Sequence, residues 1–190
     1  MCGRYYIEID EEELRDIVIE VEKKARESGE QLTLKTGGEI FPVDVVPVQT
    51  GIGCYEPMKW GFAGFKGKPV INARSETALE KPMFQKPMED QRCLIPAGGY
   101  YEWKKEGAKK IKYQFFIPGK PLYFAGCWRQ EKGSRLNTFV ILTRPAAGGA
   151  ETIHDRMPVI IPQSHREAWL NAGAEVMKEA VIGLSYKPVV

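Results

Sequence analysis

The sequence predicts an α+β fold for residues 1–190: a single domain with a coiled, mostly antiparallel, barrel-like β-sheet and a few flanking helices. Short runs of β-type residues, separated by glycine and proline, dominate residues 31–161. Helical spacing is confined to a few segments that do not alternate regularly with these runs, which argues against a doubly wound sheet. The length of 190 residues, of which 43% are hydrophobic, suits one compact domain.

The N-terminal residues predict a strand followed by a helix. Alternation over residues 3–9 is typical of a strand. Asp10 is expected to cap a helix whose acidic first turn, residues 11–13, complements the helix dipole, and Gly29 is expected to end it. The apolar residues at helical spacing predict its buried face: Leu14, Ile17, Val18, Val21 and Ala25.

The remaining elements are predicted to be mostly strands. A short helix is expected from about Ser75 to just before Pro82, and Ser164 with Glu167 predicts a capping box that opens a last helix through Trp169. The predicted strands are residues 31–35, 45–49, 54–60, 69–72, 92–95, 99–104, 111–117, 121–128, 137–143 and 157–161.

The charges and the absence of long apolar runs limit the classes of function. The formal net charge is +2, but residues 1–30 hold ten acidic and five basic residues, so residues 31–190 carry +7. A modestly basic surface permits an anionic partner. No apolar run approaches the roughly 18 residues of a membrane span, and the early acidic residues do not resemble a signal peptide. A cytoplasmic location without membrane contact is therefore expected.

The four cysteines do not predict a metal site, and no cofactor is expected. They lie far apart, and two histidines complete no recognisable zinc set. Cys54, Cys93 and Cys127 are interpreted as reduced, buried thiols because each lies in an apolar or strand-like run. Cys2 differs because it directly follows Met1, and such a small residue normally permits removal of the initiator methionine.

A cysteine at the mature N-terminus could capture an aldehyde. Its α-amine, with an ordinary pKa of about 7.7–8.0, has a usable neutral fraction at physiological pH, and such an amine forms a Schiff base with an aldehyde. The neighbouring thiol of Cys2 can then close a five-membered thiazolidine, since well-placed intramolecular attack reaches effective molarities of about 10⁵ M. The alternative is that Cys2 is merely a small residue at a start site.

Two downstream segments add polar groups that suit this chemistry. Asn72, Arg74 and Glu76 are expected on one face where a strand passes into a helix, whose N-terminus attracts phosphates; the alternative is a polar turn. Glu102 lies between two aromatic residues in a strand that otherwise resembles core. Burial there would raise the pKa of its carboxyl, unless Glu102 lies on the solvent face.

Three further features are candidates for catalysis or DNA binding. His154 lies beside Arg156 before an apolar strand, and imidazole titrates near neutrality as a general acid or base requires; a lone histidine is more often structural. Trp60 offers a face for stacking an unpaired base, although aromatic residues at strand spacing are usually core. The lysine-rich residues 104–112 are interpreted first as a solvated hairpin loop rather than a DNA contact.

Taken in order, these segments resemble the SOS response-associated peptidase family of abasic-site-processing proteins. The resemblance covers residues 1 to about 170, and it is specific because all blocks occur in sequence. The matching blocks are Met1-Cys-Gly-Arg4, Trp60-Gly61, Asn72-Ala-Arg-Ser-Glu-Thr77, Arg92-Cys-Leu-Ile-Pro-Ala97, Tyr101-Glu-Trp103, Phe124-Ala-Gly126 with Trp128, Ile141-Leu-Thr143 and His154-Asp-Arg-Met-Pro-Val159.

The resemblance implies a self-crosslinking DNA-damage enzyme. Cys2, once exposed, would form a thiazolidine with the open-chain aldehyde of an abasic site in single-stranded DNA, which protects the lesion. Asn72 would orient the amine or the sugar, Glu102 would relay protons, and His154 would act on the sugar ring oxygen. The resemblance also implies an autoproteolytic peptidase activity that releases Met1, and in some members a strand-incising lyase activity.

The resemblance further implies how DNA is held. The partner would be single-stranded DNA containing abasic sites, bound by a monomer that associates with the nucleoid when on DNA. Phosphates would be held by arginines and bases would contact an indole ring; the implied DNA-binding residues are Arg4, Trp60, Arg74, Ser75, Arg156 and Met157.

Two segments depart from the family pattern. The usual Asn-x-Ala-Pro is Glu39–Pro42 here and keeps only the proline. Gly64 and Lys66 replace the customary proline and second tryptophan, with Phe65 as the candidate substitute.

Two other functions compete with the one that the resemblance implies. A cysteine peptidase would use Cys2 as nucleophile and His154 as base. A non-catalytic single-stranded DNA binder would need neither residue, and its affinity would fall steeply with salt.

Overall fold

The computed structural model describes residues 2–8, 12–27, 32–171, 173–181 and 183–189. The predicted cap at Asp10 and the predicted helix end at Gly29 lie outside these residues. The strands are β1 (Tyr5–Ile7), β2 (Gly38–Ile40), β3 (Val45–Gly51), β4 (Cys54–Trp60), β5 (Asn72–Arg74), β6 (Arg92–Ala97), β7 (Gly99–Glu106), β8 (Lys109–Phe116), β9 (Leu122–Gln130), β10 (Asn137–Pro145), β11 (Arg156–Pro158) and β12 (Ser185–Pro188). The helices are α1 (Glu12–Glu27), α2 (Pro82–Asp90) and α3 (Arg166–Asn171).

Two sheets form the frame. The first has the spatial order β12–β8–β7–β1–β2, and its pairs are antiparallel. In the second, β9 pairs with both β6 and β10, so that β10, β4, β3, β6 and β9 close into a barrel. Only β4 and β5 pair in parallel, both with β10, among the described strands. The predicted α+β class with a mostly antiparallel, barrel-like sheet is confirmed.

The barrel strands are buried along most of their length. All but one residue of β6 and the first six residues of β9 are buried. Strands covered on both faces lose the alternation of a half-exposed sheet and become continuous apolar runs. The predicted buried stripe of α1 is confirmed, since its five buried residues are those expected from helical spacing.

The predicted helix before Pro82 is wrong. Residues 75–80 form turns, and α2 begins at Pro82 instead. Proline is tolerated in the first turn of a helix, where its missing N–H costs nothing, whereas the residue before it is disfavoured in helical conformation. The predicted capping box at Ser164 is also absent: Ser164 lies in a 3₁₀ turn and its Oγ is 2.9 Å from Nδ1 of His165, and α3 begins at Arg166.

Several short strands differ from their predictions. In the predicted strand at 31–35, Leu34 makes only an isolated bridge to Val45. β5 and β11 are shifted from the predicted 69–72 and 157–161, and β2 and β12 were not predicted. Elements of three or four residues are placed by the neighbour they pair with rather than by their own pattern.

The sheet pairing brings the chain start to the middle of the molecule. β1 pairs with β7 through Tyr5 opposite Tyr100, and the Tyr101 N–H donates to the Arg4 carbonyl oxygen at 2.9 Å. Cys2 therefore lies beside β7. Among the described helices, none is long and apolar enough to cross a membrane.

Candidate active site

Cys2 is held by its backbone against β5. The Asn72 side-chain amide donates to the Cys2 carbonyl oxygen at 2.9 Å. Asn72 is itself fixed because β5 pairs with β10, with Asn72 opposite Ile141. The Cys2 side chain is fully buried, and its Sγ lies 3.9 Å from the Arg4 carbonyl oxygen. A residue next to the chain start is thus fixed in position by an amide 70 residues away.

The surroundings of the Cys2 thiol keep it protonated. Burial raises the thiol pKa far above its ordinary value, and the nearby Glu102 carboxylate raises it further. A thiol activated as a ready nucleophile has the opposite surroundings, with positive groups that lower its pKa. The sulfur of Cys2 is therefore available as S–H rather than as a standing thiolate.

Glu102 lies on β7 with only 4% of its surface exposed. Burial is the largest influence on its carboxyl and raises its pKa to about 7. The sequence-based interpretation of a desolvated carboxylate is confirmed, and a position on the solvent face is excluded. At neutral pH this carboxyl can both give and take a proton.

His154 faces Glu102 from the other sheet, just before β11. Its Nε2 lies 3.8 Å from Glu102 Oε2. Its Nδ1 accepts the Arg156 N–H at 3.0 Å and lies 2.8 Å from the carboxylate of Asp155, which is 84% exposed. Burial outweighs this exposed carboxylate and lowers the pKa of His154, so the ring is largely neutral at pH 7.

A cavity of about 600 Å³ opens beside this pair. It lies between the β7–β8 hairpin and residues 153–155, and both Glu102 and His154 line it. Its volume is within the range of small-ligand sites. The structure thus brings together the predicted catalytic residues in two linked contacts, Asn72 with Cys2 and His154 with Glu102.

Two of the predicted phosphate-binding arginines are already bound to carboxylates. Arg156 binds both carboxylate oxygens of Glu76, with Nη2 to Oε2 at 2.9 Å, and it also donates to the Thr143 carbonyl oxygen at 2.7 Å. This pairing lowers the pKa of Glu76 to about 2. Arg4 binds Glu39 at 2.8 Å and lies 3.6 Å above the ring of Phe41.

The two other polar residues of the predicted DNA-binding set lie on or just after β5. Arg74 is exposed. Ser75 is half-buried, its N–H donates to the Thr143 carbonyl oxygen at 2.9 Å, and its hydroxyl is 3.2 Å from Glu76. Ser75 therefore lies beside the Arg156–Glu76 pair.

The DNA contacts of Trp60 and Met157 stay predictions, and neither residue presents a free surface here. Both side chains are fully buried. The Trp60 indole N–H donates to the Ile71 carbonyl oxygen at 2.9 Å, and its ring is stacked 6.4 Å from that of Phe139. Both side chains belong to the apolar core. Phe65, in the turn that follows β4, is an exposed aromatic residue, with 84% of its surface accessible.

Two features of the site were not found from the sequence. Tyr100 is buried beside Cys2 and Glu102, and no described group bonds to its hydroxyl. Glu39 joins Arg4 to Lys112, which lies 3.9 Å above the Tyr101 ring. Strand alternation places Tyr100 in the core but gives no sign of an open hydroxyl. Among the described residues, no group of three or more histidine, cysteine or acidic side chains could hold a metal ion.

The sequence of this chain matches the model of a known protein family. The model of the family described as SOS response associated peptidase (SRAP) matches residues 1–188. The chain belongs to the SRAP family. The resemblance predicted from the sequence blocks is therefore confirmed.

The curated relatives of this SRAP chain are named abasic site processing proteins. The abasic site processing protein YobE of Bacillus subtilis is 43% identical over 110 residues, which are 55% of this chain and 50% of that protein. The abasic site processing protein YedK of Escherichia coli is 39% identical over 139 residues, 67% of this chain and 61% of that protein. The match thus spans about half the length of YobE and less than two thirds of YedK.

Solved structures share the SRAP fold. A phage-related protein from Bordetella bronchiseptica aligns with a TM-score of 0.75 and 25% identity, covering 99% of this chain and 94% of that one. A protein from Bacteroides thetaiotaomicron aligns with a TM-score of 0.72 and 25% identity, covering 90% and 88%.

Proposed function

We propose that this protein captures abasic sites in single-stranded DNA by forming a thiazolidine with Cys2. The observation that carries the proposal is the meeting of Cys2, Asn72 and Glu102 beside a cavity that His154 lines. The names of the relatives, abasic site processing proteins, point to the same substrate. One chain supplies all four groups, so the proposed unit is a monomer.

The first step opens the deoxyribose ring at the lesion. Proton transfer between the anomeric hydroxyl and the ring oxygen converts the hemiacetal into an aldehyde. His154 is suited to this role because its Nε2 faces the cavity wall at Glu102 and its pKa, lowered by burial, leaves it in the neutral form at pH 7.

The second step joins the amine to the aldehyde. With Met1 removed, the α-amine of Cys2 attacks the carbonyl carbon, and the carbonyl oxygen leaves as water to give a Schiff base. This loss of water needs one proton delivered and one removed. Glu102, with a pKa of about 7, can deliver one of these protons and remove the other near neutral pH.

The third step closes the ring. The Cys2 sulfur adds to the Schiff-base carbon, the C=N π bond breaks, and its electron pair forms an N–H bond with the proton that the thiol gives up. Because the thiol is protonated at neutral pH, it needs a base at the moment of attack, and the Glu102 carboxylate acts on it closely enough to raise its pKa. The Asn72 amide holds the Cys2 backbone while sulfur and nitrogen meet one carbon.

Single-stranded DNA is the proposed form because the lesion has to enter a cavity. A sugar in a paired and stacked duplex has to be extruded at a cost of a few kcal/mol before it can enter such a site. The peptidase activity in the family description would amount here to hydrolysis of the bond between Met1 and Cys2.

A general cysteine peptidase is less well supported. Burial and Glu102 both raise the pKa of the Cys2 thiol, whereas peptidase nucleophiles have a lowered one. Chemical formylation of the α-amine with the thiol left free separates the two functions, since a peptidase tolerates this block and a thiazolidine former does not.

The test is a crosslinking reaction with an abasic oligonucleotide, followed by a denaturing gel. The mature protein is expected to give one slowly migrating band, and formylated protein is expected to give none. No band from unmodified mature protein, or an equal band from formylated protein, would contradict the proposal. Retention of DNA binding without any band would favour the non-catalytic binder.

A further inference from the structure

The entrance of the cavity carries two lysines that the proposed chemistry does not use. Lys105 on β7 and Lys110 on β8 are directly opposite each other in the hairpin. Both are exposed, and both line the same cavity as Glu102 and His154. Residues opposite each other in an antiparallel pair project from the same face. Two ammonium groups therefore lie side by side at the entrance.

This pairing does not serve the stability of the hairpin. Like charges directly opposite each other destabilise a sheet. Two of the other lysines of the same hairpin are bound to carboxylates: Lys104 to Glu106 at 3.0 Å and Lys112 to Glu39. Lys105 and Lys110 form no ion pair within the described ranges, and they line a cavity whose other titratable lining groups include the carboxyls of Glu102 and Asp155.

We propose that Lys105 and Lys110 bind the backbone phosphate of a nucleotide next to the lesion. The assignment rests on the proposed function, which places the abasic sugar beside Glu102. A phosphodiester has two free oxygens and one negative charge, so each ammonium can take one oxygen. The sequence alone favoured a solvated loop here, and the cavity is what favours a DNA contact instead.

Lys105 and Lys110 line the same cavity as residues 153–155. The segment across the cavity, residues 153–155, continues directly into Arg156 on β11. A strand that crosses the cavity would pass residues 153–155 on one side and the two lysines on the other, whereas Arg156 lies outside the cavity lining and is bound to Glu76. Holding the phosphate next to the lesion limits the movement of the sugar relative to Cys2, which is the positioning that a ring closure at one carbon requires.

The test measures non-covalent affinity for a single-stranded oligonucleotide with one tetrahydrofuran site, an abasic analogue that has no aldehyde. Fluorescence anisotropy compares wild type, K105Q/K110Q and the matched control K86Q/K109Q, in which two exposed lysines outside the cavity lining lose the same charge. We expect K105Q/K110Q to bind roughly tenfold more weakly, with a salt slope reduced by about 0.7, the value for one phosphate contact on a single strand.

Three outcomes would overturn the assignment: equal affinity of the K105Q/K110Q and K86Q/K109Q variants, an unchanged salt slope, or no binding by wild type. Thermal unfolding checks the fold, and K105Q/K110Q is expected to be at least as stable as wild type because the like-charge pair is removed. The analogue cannot crosslink, so the two proposals fail separately. Crosslinking without a lysine effect contradicts only the phosphate contact, and a lysine effect without crosslinking contradicts only the thiazolidine.

Discussion

Two thiols in this protein, Cys2 and Cys93, are equally buried but have different neighbours. Both side chains are fully inaccessible, burial raises the pKa of both, and the backbone carbonyl of each accepts a side-chain N–H. For Cys2 the donor is Asn72 at 2.9 Å, and for Cys93 it is Trp169 at 2.8 Å.

The difference lies in what surrounds the sulfur. Cys93 is on β6 in the barrel, close to a second thiol, Cys127, and it packs as a small apolar residue. The prediction of a buried thiol is confirmed for Cys93 and Cys127 and is wrong for Cys54, which is exposed. Cys2 has a titratable carboxyl, Glu102, beside it and a cavity next to that carboxyl. Burial alone therefore does not identify a reactive cysteine. The proton-transferring group at its side and the access for a substrate distinguish the two.

Replacing each cysteine sulfur by oxygen is expected to give the largest difference between Cys2 and Cys93. Cys2→Ser is expected to abolish the stable crosslink to an abasic oligonucleotide, because a hydroxyl does not replace the thiol in ring closure. Cys93→Ser is expected to crosslink like wild type but to lose about 1–3 kcal/mol of stability, since a hydroxyl is placed in an apolar interior. A denaturing gel and urea unfolding measure both. A stable crosslink from C2S, or its loss in folded C93S, would refute the comparison.

Replacing the carboxyl beside Cys2 should have the next largest effect. Glu102→Gln keeps the shape but removes the proton transfer, and we expect crosslinking to slow by about 10²-fold or more. Rapid-quench sampling on denaturing gels gives the rate. An unchanged rate would remove Glu102 from the mechanism.

The same variant should change stability in a pH-dependent way. The folded pKa of Glu102, about 7, lies above the ordinary value of about 4.3, so the folded state binds more protons between these limits. Wild-type stability therefore falls as pH rises through this window, and E102Q lacks that fall. We expect E102Q to gain about 2–4 kcal/mol relative to wild type on going from pH 4 to pH 8. Parallel urea curves at both pH values test it, and a constant difference would contradict the burial effect.

Removing the side chains that donate to the two cysteine carbonyls, Asn72 and Trp169, is expected to have a smaller effect on crosslinking. Asn72→Ala frees the Cys2 backbone and is expected to slow crosslinking by about 10- to 100-fold, because a misplaced reacting group loses its alignment. Trp169→Phe leaves the Cys93 carbonyl without that donor and is expected to cost about 1–3 kcal/mol of stability with an unchanged rate. Equal rate losses in the two folded variants would mean that both donors act only on the fold.

The smallest expected effect concerns the polar surroundings of Cys2 beyond the reacting atoms. Glu39 binds Arg4 and Lys112 with its carboxylate and so occupies two cations that could hold a phosphate. Glu39→Gln is expected to raise the affinity for single-stranded DNA by roughly two- to fivefold, the scale of a partly exposed charge. Anisotropy at fixed salt measures it, with Glu89→Gln, an exposed carboxylate on α2, as the control. Equal affinity of the two variants would assign Glu39 a structural role only.

Part of this site could be predicted from the sequence because local pattern determined it. Glu102 lies in a strand whose neighbours are aromatic, and a central position in the sheet buried it as expected. The five buried residues of α1 followed from helical spacing alone. The family blocks gave the chain's membership, which the match over residues 1–188 confirmed.

Other parts depend on contacts that no local pattern encodes. Trp60 has the strand spacing that suits either a core ring or a stacking face, and only the pairing of β4 within a closed barrel decides for the core. The contact of Asn72 with Cys2 joins residues 70 positions apart. The lysine pair is visible as a basic run, but its place on the cavity depends on residues 153–155 from the opposite sheet.

The most direct test of the central claim is mass spectrometry of the crosslinked protein. After nuclease and tryptic digestion, the sugar remnant is expected on the N-terminal peptide Cys2-Gly3-Arg4, with the intact adduct equal to the chain without Met1 plus the oligonucleotide minus one water. An adduct on any other residue, or on a chain that still carries Met1, would contradict the account.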